Sequence, residues 1–173
     1  NIEERNERES LFIINSFALS YFQEILSKKD KINKYLNDRG LSLSTIQNFS
    51  LGFSNDVQNE FYKSAIKKGY SDDYLDETGL VILSNDKKID RFRGRIIFPI
   101  KSIAGRIVGF GGRIIDFTTK MAHYINSAES RTYHKSKTLY GIYESKQFIV
   151  KDDTCLLVEG YMDVIQLHEH GIK

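Results

Sequence analysis

One cysteine, one proline and no apolar run near the ~18 residues of a membrane-spanning helix set the first limits on this 173-residue chain. A lone thiol, Cys155, excludes an internal disulfide and a zinc site built on cysteines. A reducing, cytoplasmic location is expected with it. The single proline, Pro99, leaves no proline-rich linker, and the chain has no low-complexity tract and no internal repeat. The opening NIEERNERES is charged and leads into no signal-type apolar core, so neither a signal peptide nor a membrane partner is expected. What remains is ordinary for a globular protein: 40% hydrophobic and 28% charged residues, which excludes wholesale disorder.

Charge is plentiful but unevenly spread. The formal net charge of +2 hides a basic middle, residues 86–151, with fourteen Lys and Arg against five Asp and Glu. That segment is +9 and the flanks together are −7. A basic band between acidic ends points to a polyanion, either nucleic acid or nucleotide phosphates.

Along the chain, Leu11, Ile14, Ala18, Phe22 and Ile25 form one helical stripe over residues 8–28. Shorter helices are expected at 31–39, from a Ser44 cap to Phe49, at 57–68, and from a Ser71 cap to Gly79, punctuated by glycines. The first eighty residues therefore read as helical. The texture then changes. LVILS, RIIFPI and RIVGF running on to RIID read as strands of an antiparallel meander, with NDKK as a turn. Residues 117–138 read as irregular and 140–150 as a helix. CLLV, residues 155–158, reads as a buried strand entering a final βα unit whose helix carries Met162, Val164, Ile165 and Leu167.

Four stretches carry candidate chemistry. GFGGR, 109–113, brings backbone close to a partner and ends in Arg113, which suits a phosphate; taken alone, its glycines read as a tight turn or bulge. In DRFRGR, 90–95, strand spacing would put Arg91, Arg93 and Arg95 on one cationic face. In the 123–141 loop, Tyr124 and Tyr133 could stack on bases, while Arg131, Lys135 and Lys137 could neutralise phosphates. Asn126 and Ser127 could bond sugar or phosphate. A polar loop with its tyrosines tucked into the core fits the same residues. Glu159 ends the CLLV run, where ligands bind in open α/β sheets. It could hold Mg²⁺ or act as a base, with only Asp163 as a neighbouring acid; taken alone, it reads as a helix cap or an ion-pair partner. The chain ends fourteen residues beyond Glu159, so half a site is expected. The histidines lack ligand spacing, and no histidine metal site is expected.

In order, YLNDRGLSLSTIQNFSLGF, DRFRGRIIFPI, GRIVGFGGRII, YINSAESRTYHKSKTLYGIYES and LLVEGYMDVI resemble the RNA-polymerase domain of bacterial replicative primases of the DnaG type. The resemblance spans about residue 10 to the end, and five blocks in family order make it specific. It implies an α+β fold: a helical N-terminal region on a small antiparallel sheet, then the first strand and helix of a truncated α/β Toprim fold. The implied division is a basic subdomain at 1–151, which guides single-stranded DNA template and the RNA–DNA hybrid, and a Toprim start at 152–173. The implied activity is joining ribonucleoside triphosphates into short RNA primers, a 3′-hydroxyl attacking the α-phosphate in line. Mg²⁺ or Mn²⁺ is the implied cofactor in the parent enzyme. The resemblance further implies that Glu159 belongs to an acidic metal cluster whose other members come from later strands. The fragment alone is therefore expected to be inactive, without zinc and without a stably held Mg²⁺. A replicative helicase is an implied partner through a region outside the chain.

Carried over residue by residue, Arg39, Arg113 and Lys135 match functional basic positions, and Arg91, Arg93, Asn126, Ser127 and Lys137 lie in the same motifs. The family usually reads KYLNSPE where this chain has HYINSAE, so His123 replaces a lysine and Ala128 a proline. Lys120 is the candidate replacement cation. Two other readings compete: a stand-alone nucleic-acid module, and another Toprim enzyme, which the blocks upstream of Glu159 disfavour. Residues 152–173 are expected either to dock on the upstream region or to self-associate.

Overall fold

A computed structural model of the chain describes residues 2–84, 87–115 and 121–173. The helices are α1 (Ile2–Ser27), α2 (Asp30–Asp38), α3 (Leu43–Asn48), α4 (Glu60–Lys67), α5 (Asp72–Glu77), α6 (Ile142–Asp152) and α7 (Tyr161–Glu169). The strands are β1 (Gly52–Ser54), β2 (Val81–Ser84), β3 (Lys87–Asp90), β4 (Arg95–Lys101), β5 (Ile107–Ile114) and β6 (Tyr124–Asn126). The α+β expectation holds. Four strands form one antiparallel sheet in the order β1-β4-β5-β6, and β2 and β3 form a separate hairpin.

The apolar stripe on α1 buries Ile14, Ala18 and Phe22 against Ile97 and Phe110 of the sheet, with Phe61, Ala65 and Leu75 from α4 and α5 closing this core. Ile96 and Phe98 point to the opposite face, where Leu26, Leu36, Leu41, Phe49 and Phe53 meet Ile165 of α7. Cover on both faces explains why RIIFPI is a continuous apolar run and not an alternating one. The ladder has one irregularity, between Ile100 and Lys101.

Several expectations change on contact with the structure. β1 lies inside the stretch read as all-helical; at three residues it is too short to leave a periodic signal. LVILS leaves the meander, because β2 pairs with β3 and not with β4. Lys87 and Lys88, expected in a turn, belong to β3. The cap of α3 is Ser42 and not Ser44, its hydroxyl accepting the Thr45 N–H at 3.2 Å. Residues 91–94 form a turn, and Arg95 is only 2% exposed, so Arg91, Arg93 and Arg95 make no cationic stripe. GFGGR is not a turn either: all five residues lie in β5 and pair with β4, and Gly111, Gly112 and Arg113 pair with β6 as well.

The largest correction is at the C-terminal end. Residues 155–158 form no strand, and Cys155 is exposed. An extended run becomes a strand by exchanging N–H and C=O bonds with a neighbour, and no described strand flanks this one. The helix of the expected βα unit does form. It docks on the upstream region through buried Ile165 and through Gln166, whose Nε2 donates to the Arg39 carbonyl at 2.6 Å. Glu169 accepts from both the amide and the hydroxyl of Ser42 at 2.9 Å.

Candidate nucleic-acid interface

Sheet register builds the site. Arg113 of β5 sits directly across from Tyr124 of β6, and Gly111 across from Asn126. With side chains alternating between faces, Gly111, Arg113, Tyr124 and Asn126 share one side of the sheet, the side on which α7 lies. A Cβ on Gly111 would fall 2.3 Å from the Tyr161 ring. The missing side chain is thus the space that lets α7's first residue lie flat on the strand.

A chain of alternating cations and rings follows. The Arg39 guanidinium lies 5.4 Å from the Tyr35 ring; that of Arg113 lies 5.9 Å from Tyr35 and 5.6 Å from Tyr124. These are cation–π distances, and an i,i+4 step on α2 and its C-cap brings Tyr35 under Arg39. Arg113 is held at 8% exposure, whereas Arg39 is exposed and Tyr124 is 46% exposed. Burial raises the Tyr124 phenol above its usual range; Arg113 and Arg39 pull it down, and the charge of Asp163 pushes it up.

Beside this chain runs a groove of about 870 Å³, lined among others by Tyr124, Asn126, Lys135, Glu159 and Asp163. Lys135 is exposed on a short 3₁₀ turn, Lys135–Lys137, its backbone N–H donating to Glu129 at 2.9 Å. Glu159 is exposed and bonds to no described residue, while the Asp163 carboxylate accepts the Gly160 N–H at 3.0 Å and so caps α7. The capping role offered for Glu159 therefore falls to Asp163. Among the described residues no group of three or more His, Cys, Asp or Glu is placed to hold a metal ion.

The structure thus gathers Arg39, Arg113, Asn126, Lys135, Glu159 and Asp163 around one side of the sheet, and it puts other candidates elsewhere. Arg91 donates through Nε to the Asn126 carbonyl at 2.9 Å. Arg93 pairs with Asp56 at 2.7 Å beside the 91–94 turn. Ser127 is buried; its Oγ accepts the Phe110 N–H at 3.0 Å and its own N–H donates to the Phe110 carbonyl. Lys137 lines a separate groove of about 440 Å³ with Lys101 and His134. Arg131 is bound by Glu77 and Glu7, and Tyr133 is a buried core residue that also lines the groove beside Tyr124. Lys120 lies outside the described residues.

Sequence reasoning passed over two side chains and misplaced a third. Tyr35 carried a signal, four residues before Arg39 in YLNDRG. Tyr161 follows Glu159-Gly160 and reaches the far wall of the groove. Arg95 is buried, with its guanidinium donating to the carbonyls of Ala122 and His123 at 2.9 and 3.2 Å. It thereby anchors the start of β6, and only the fold could show that. Burial holds the Arg95 pKa below its usual value. Among the described residues no helix is long and apolar enough to cross a membrane.

Residues 21–146 match the family model described as DNA primase catalytic core, N-terminal domain. A DNA primase from Clostridium acetobutylicum is 37% identical over 172 residues, covering 98% of this chain and 28% of the relative. The crystal structure of the RNA polymerase domain of Mycobacterium tuberculosis primase DnaG superposes with a TM-score of 0.88 at 31% identity, over 95% of this chain and 54% of that one. A DnaG primase catalytic domain bound to ssDNA gives 0.86 at 34% identity, over 97% of this chain and 53% of that one. The chain therefore spans well under a third of its curated relatives and about half of the solved domains.

Proposed function

We propose a function for this chain on one premise: it belongs to the DNA primase catalytic core family, as a member of its N-terminal domain. The chain is the template- and nucleotide-holding part of a DNA-directed RNA polymerase that lays short RNA primers on single-stranded DNA. Its partners are the template, the RNA–DNA hybrid and ribonucleoside triphosphates, in the cytoplasm. A replicative helicase would engage the longer protein outside these residues. The division is a basic subdomain at 1–151 and the beginning of a Toprim unit at 152–173; the family match ending at residue 146 supports it.

The observation that carries this reading is the Arg39–Tyr35–Arg113–Tyr124 chain bordering the Asn126–Lys135 groove. Cations neutralise phosphate oxygens, and a half-exposed ring offers a face to a base. A cation wedged between rings costs little to keep in place, so the binding geometry exists before the strand arrives. Positioning of this kind contributes much of the rate in phosphoryl transfer.

Mg²⁺ or Mn²⁺ would supply charge neutralisation at the reacting phosphates. Such ions take about six oxygen ligands, and here Glu159 is one free carboxylate while Asp163 is engaged as a cap. The donor set in this chain does not fit the ion unaided, so Glu159 is assigned as a contributor to a shared site. Turnover by residues 1–173 alone is not expected.

The test is fluorescence anisotropy of labelled single-stranded DNA across a salt series, comparing the chain with an Arg39→Ala/Lys135→Ala variant. Both side chains are exposed, so the fold should survive. Each neutralised phosphate on a single strand contributes a log–log slope of about −0.7, so the variant's slope should be shallower by about 1.4. Equal slopes would remove the groove assignment.

A further inference from the structure

Asn126 is held at three points. Its backbone pairs with Gly111 in the ladder. Its carbonyl accepts from Arg91 at 2.9 Å, and its side-chain Oδ1 lies 2.5 Å from the hydroxyl of Tyr161. Tyr161 is itself fixed: it lies over Gly111, stacks on Phe98 at 5.4 Å and 26°, and sits 4.6 Å from Tyr140. Burial pushes the Tyr161 phenol well above its ordinary range, so it stays protonated and has a hydrogen to give. An amide oxygen only accepts. The phenol therefore donates, and the amide oxygen is occupied.

What is left of Asn126 is its Nδ2, with two hydrogens and no described acceptor, in a side chain that lines the groove. We propose that Tyr161 is a positioning residue that locks the Asn126 amide so that it offers donors to the groove, making Asn126 a reader of phosphate oxygens. The proposal rests on the nucleic-acid reading of the groove and goes beyond it. It assigns a role to a side chain on α7 and fixes which half of the amide meets the ligand. Lys135 lines the same groove, and Arg113 lies two residue pairs along the β5–β6 ladder, on the same face as Asn126; both argue for phosphate over a base edge. Arg91 changes role on this account. It fixes the backbone of the reader and does not touch the ligand.

The experiment measures binding of a short abasic single strand and of its base-bearing counterpart, and competition by inorganic tripolyphosphate, for five proteins: wild type, Tyr161→Phe, Asn126→Ala, their double variant and Asn126→Asp. Tyr161→Phe should weaken binding about five- to tenfold, the worth of one oriented hydrogen bond. Its salt slope should be unchanged because no cation is lost. In the Asn126→Ala background the same change should have no further effect, since the two act as a unit. Loss with the abasic strand identifies strand phosphate, and loss only against tripolyphosphate identifies the nucleotide; either upholds phosphate recognition. Equal affinity of Tyr161→Phe, an additive double variant, or a loss seen only with base-bearing DNA would overturn the proposal. Asn126→Asp keeps an acceptor for Tyr161 and removes the donors. It should bind more weakly than Asn126→Ala, and binding at wild-type strength would equally overturn the proposal. If wild type fails to bind any of these at low salt, the groove's function falls and this role with it. If wild type binds and Tyr161→Phe matches it, only the role of Tyr161 falls.

Discussion

IIFPI at 96–100 and CLLV at 155–158 are apolar strings of similar length and texture, and they end in opposite surroundings. Ile96, Ile97 and Phe98 are wholly buried; Leu156 is 59% and Leu157 79% exposed. The first string has β1 on one edge, β5 on the other, α1 over one face and α7 over the opposite face. The second has none of these among the described residues. Burial therefore belongs to the neighbours as much as to the string, since apolar area leaves water only when something covers it. The helix following CLLV docks because the partners it needs are in this chain: a sheet face with a vacancy at Gly111, and the amide and hydroxyl of half-buried Ser42.

The largest effect expected on this contrast is Phe98→Ala, which should cost about 3–5 kcal/mol in urea unfolding, while Leu157→Ala stays within about 0.5 kcal/mol. A comparable loss at Leu157 would show that 155–158 packs in solution and would break the comparison. Next is Gly111→Ala, which drives a methyl into the Tyr161 ring. It should destabilise by about 1–3 kcal/mol and make residues 152–173 protease-sensitive before the sheet unfolds. Simultaneous loss of sheet and tail would instead make them one cooperative unit. The smallest effect concerns pH. The side chain of Thr45, with the amide and hydroxyl of Ser42, holds the Glu169 carboxyl below its usual 4.5. A carboxylate depressed in the folded state contributes stability above about 4.5 and loses it as pH falls through its folded value. Hydrogen exchange at Ser42 and along α7 should rise over that acidic window, and Glu169→Gln should flatten the rise. An unaltered pH profile in Glu169→Gln would detach the tail from this contact.

Much of the fold was legible because it rests on local periodicity. The stripe on α1 and the β-branched runs of β4 and β5 declare their faces without reference to anything distant. Failures gathered where a segment's state depends on a remote partner. DRFRGR alternates like a strand, yet Gly94 adopts a positive φ of 71° in the turn and Arg95 turns inward to the carbonyls of residues 122 and 123. The glycines of GFGGR looked like a turn, but they are gaps in a strand that Tyr161, Phe92 and the Ser127–Tyr133 pair fill. The candidate site divided in the same way. Arg39, Arg113, Asn126, Lys135, Glu159 and Asp163 come together, whereas Arg91, Arg93 and Ser127 are engaged with the protein itself and Lys137 faces another groove.

By itself the sequence determined composition, charge and pattern: a globular chain, a basic middle, amphipathic helices, apolar strands and an ordered set of motifs. These are properties of neighbouring residues, and one dimension records them. Tertiary structure alone decided which arginines gather beside the groove, which tyrosine stacks and which hydroxyl orients Asn126. Those outcomes hang on contacts across long stretches of chain, such as the 35 residues from Asn126 to Tyr161. A contact at that separation leaves no periodic trace, because it is set by how the sheet and its covering helices close on one another.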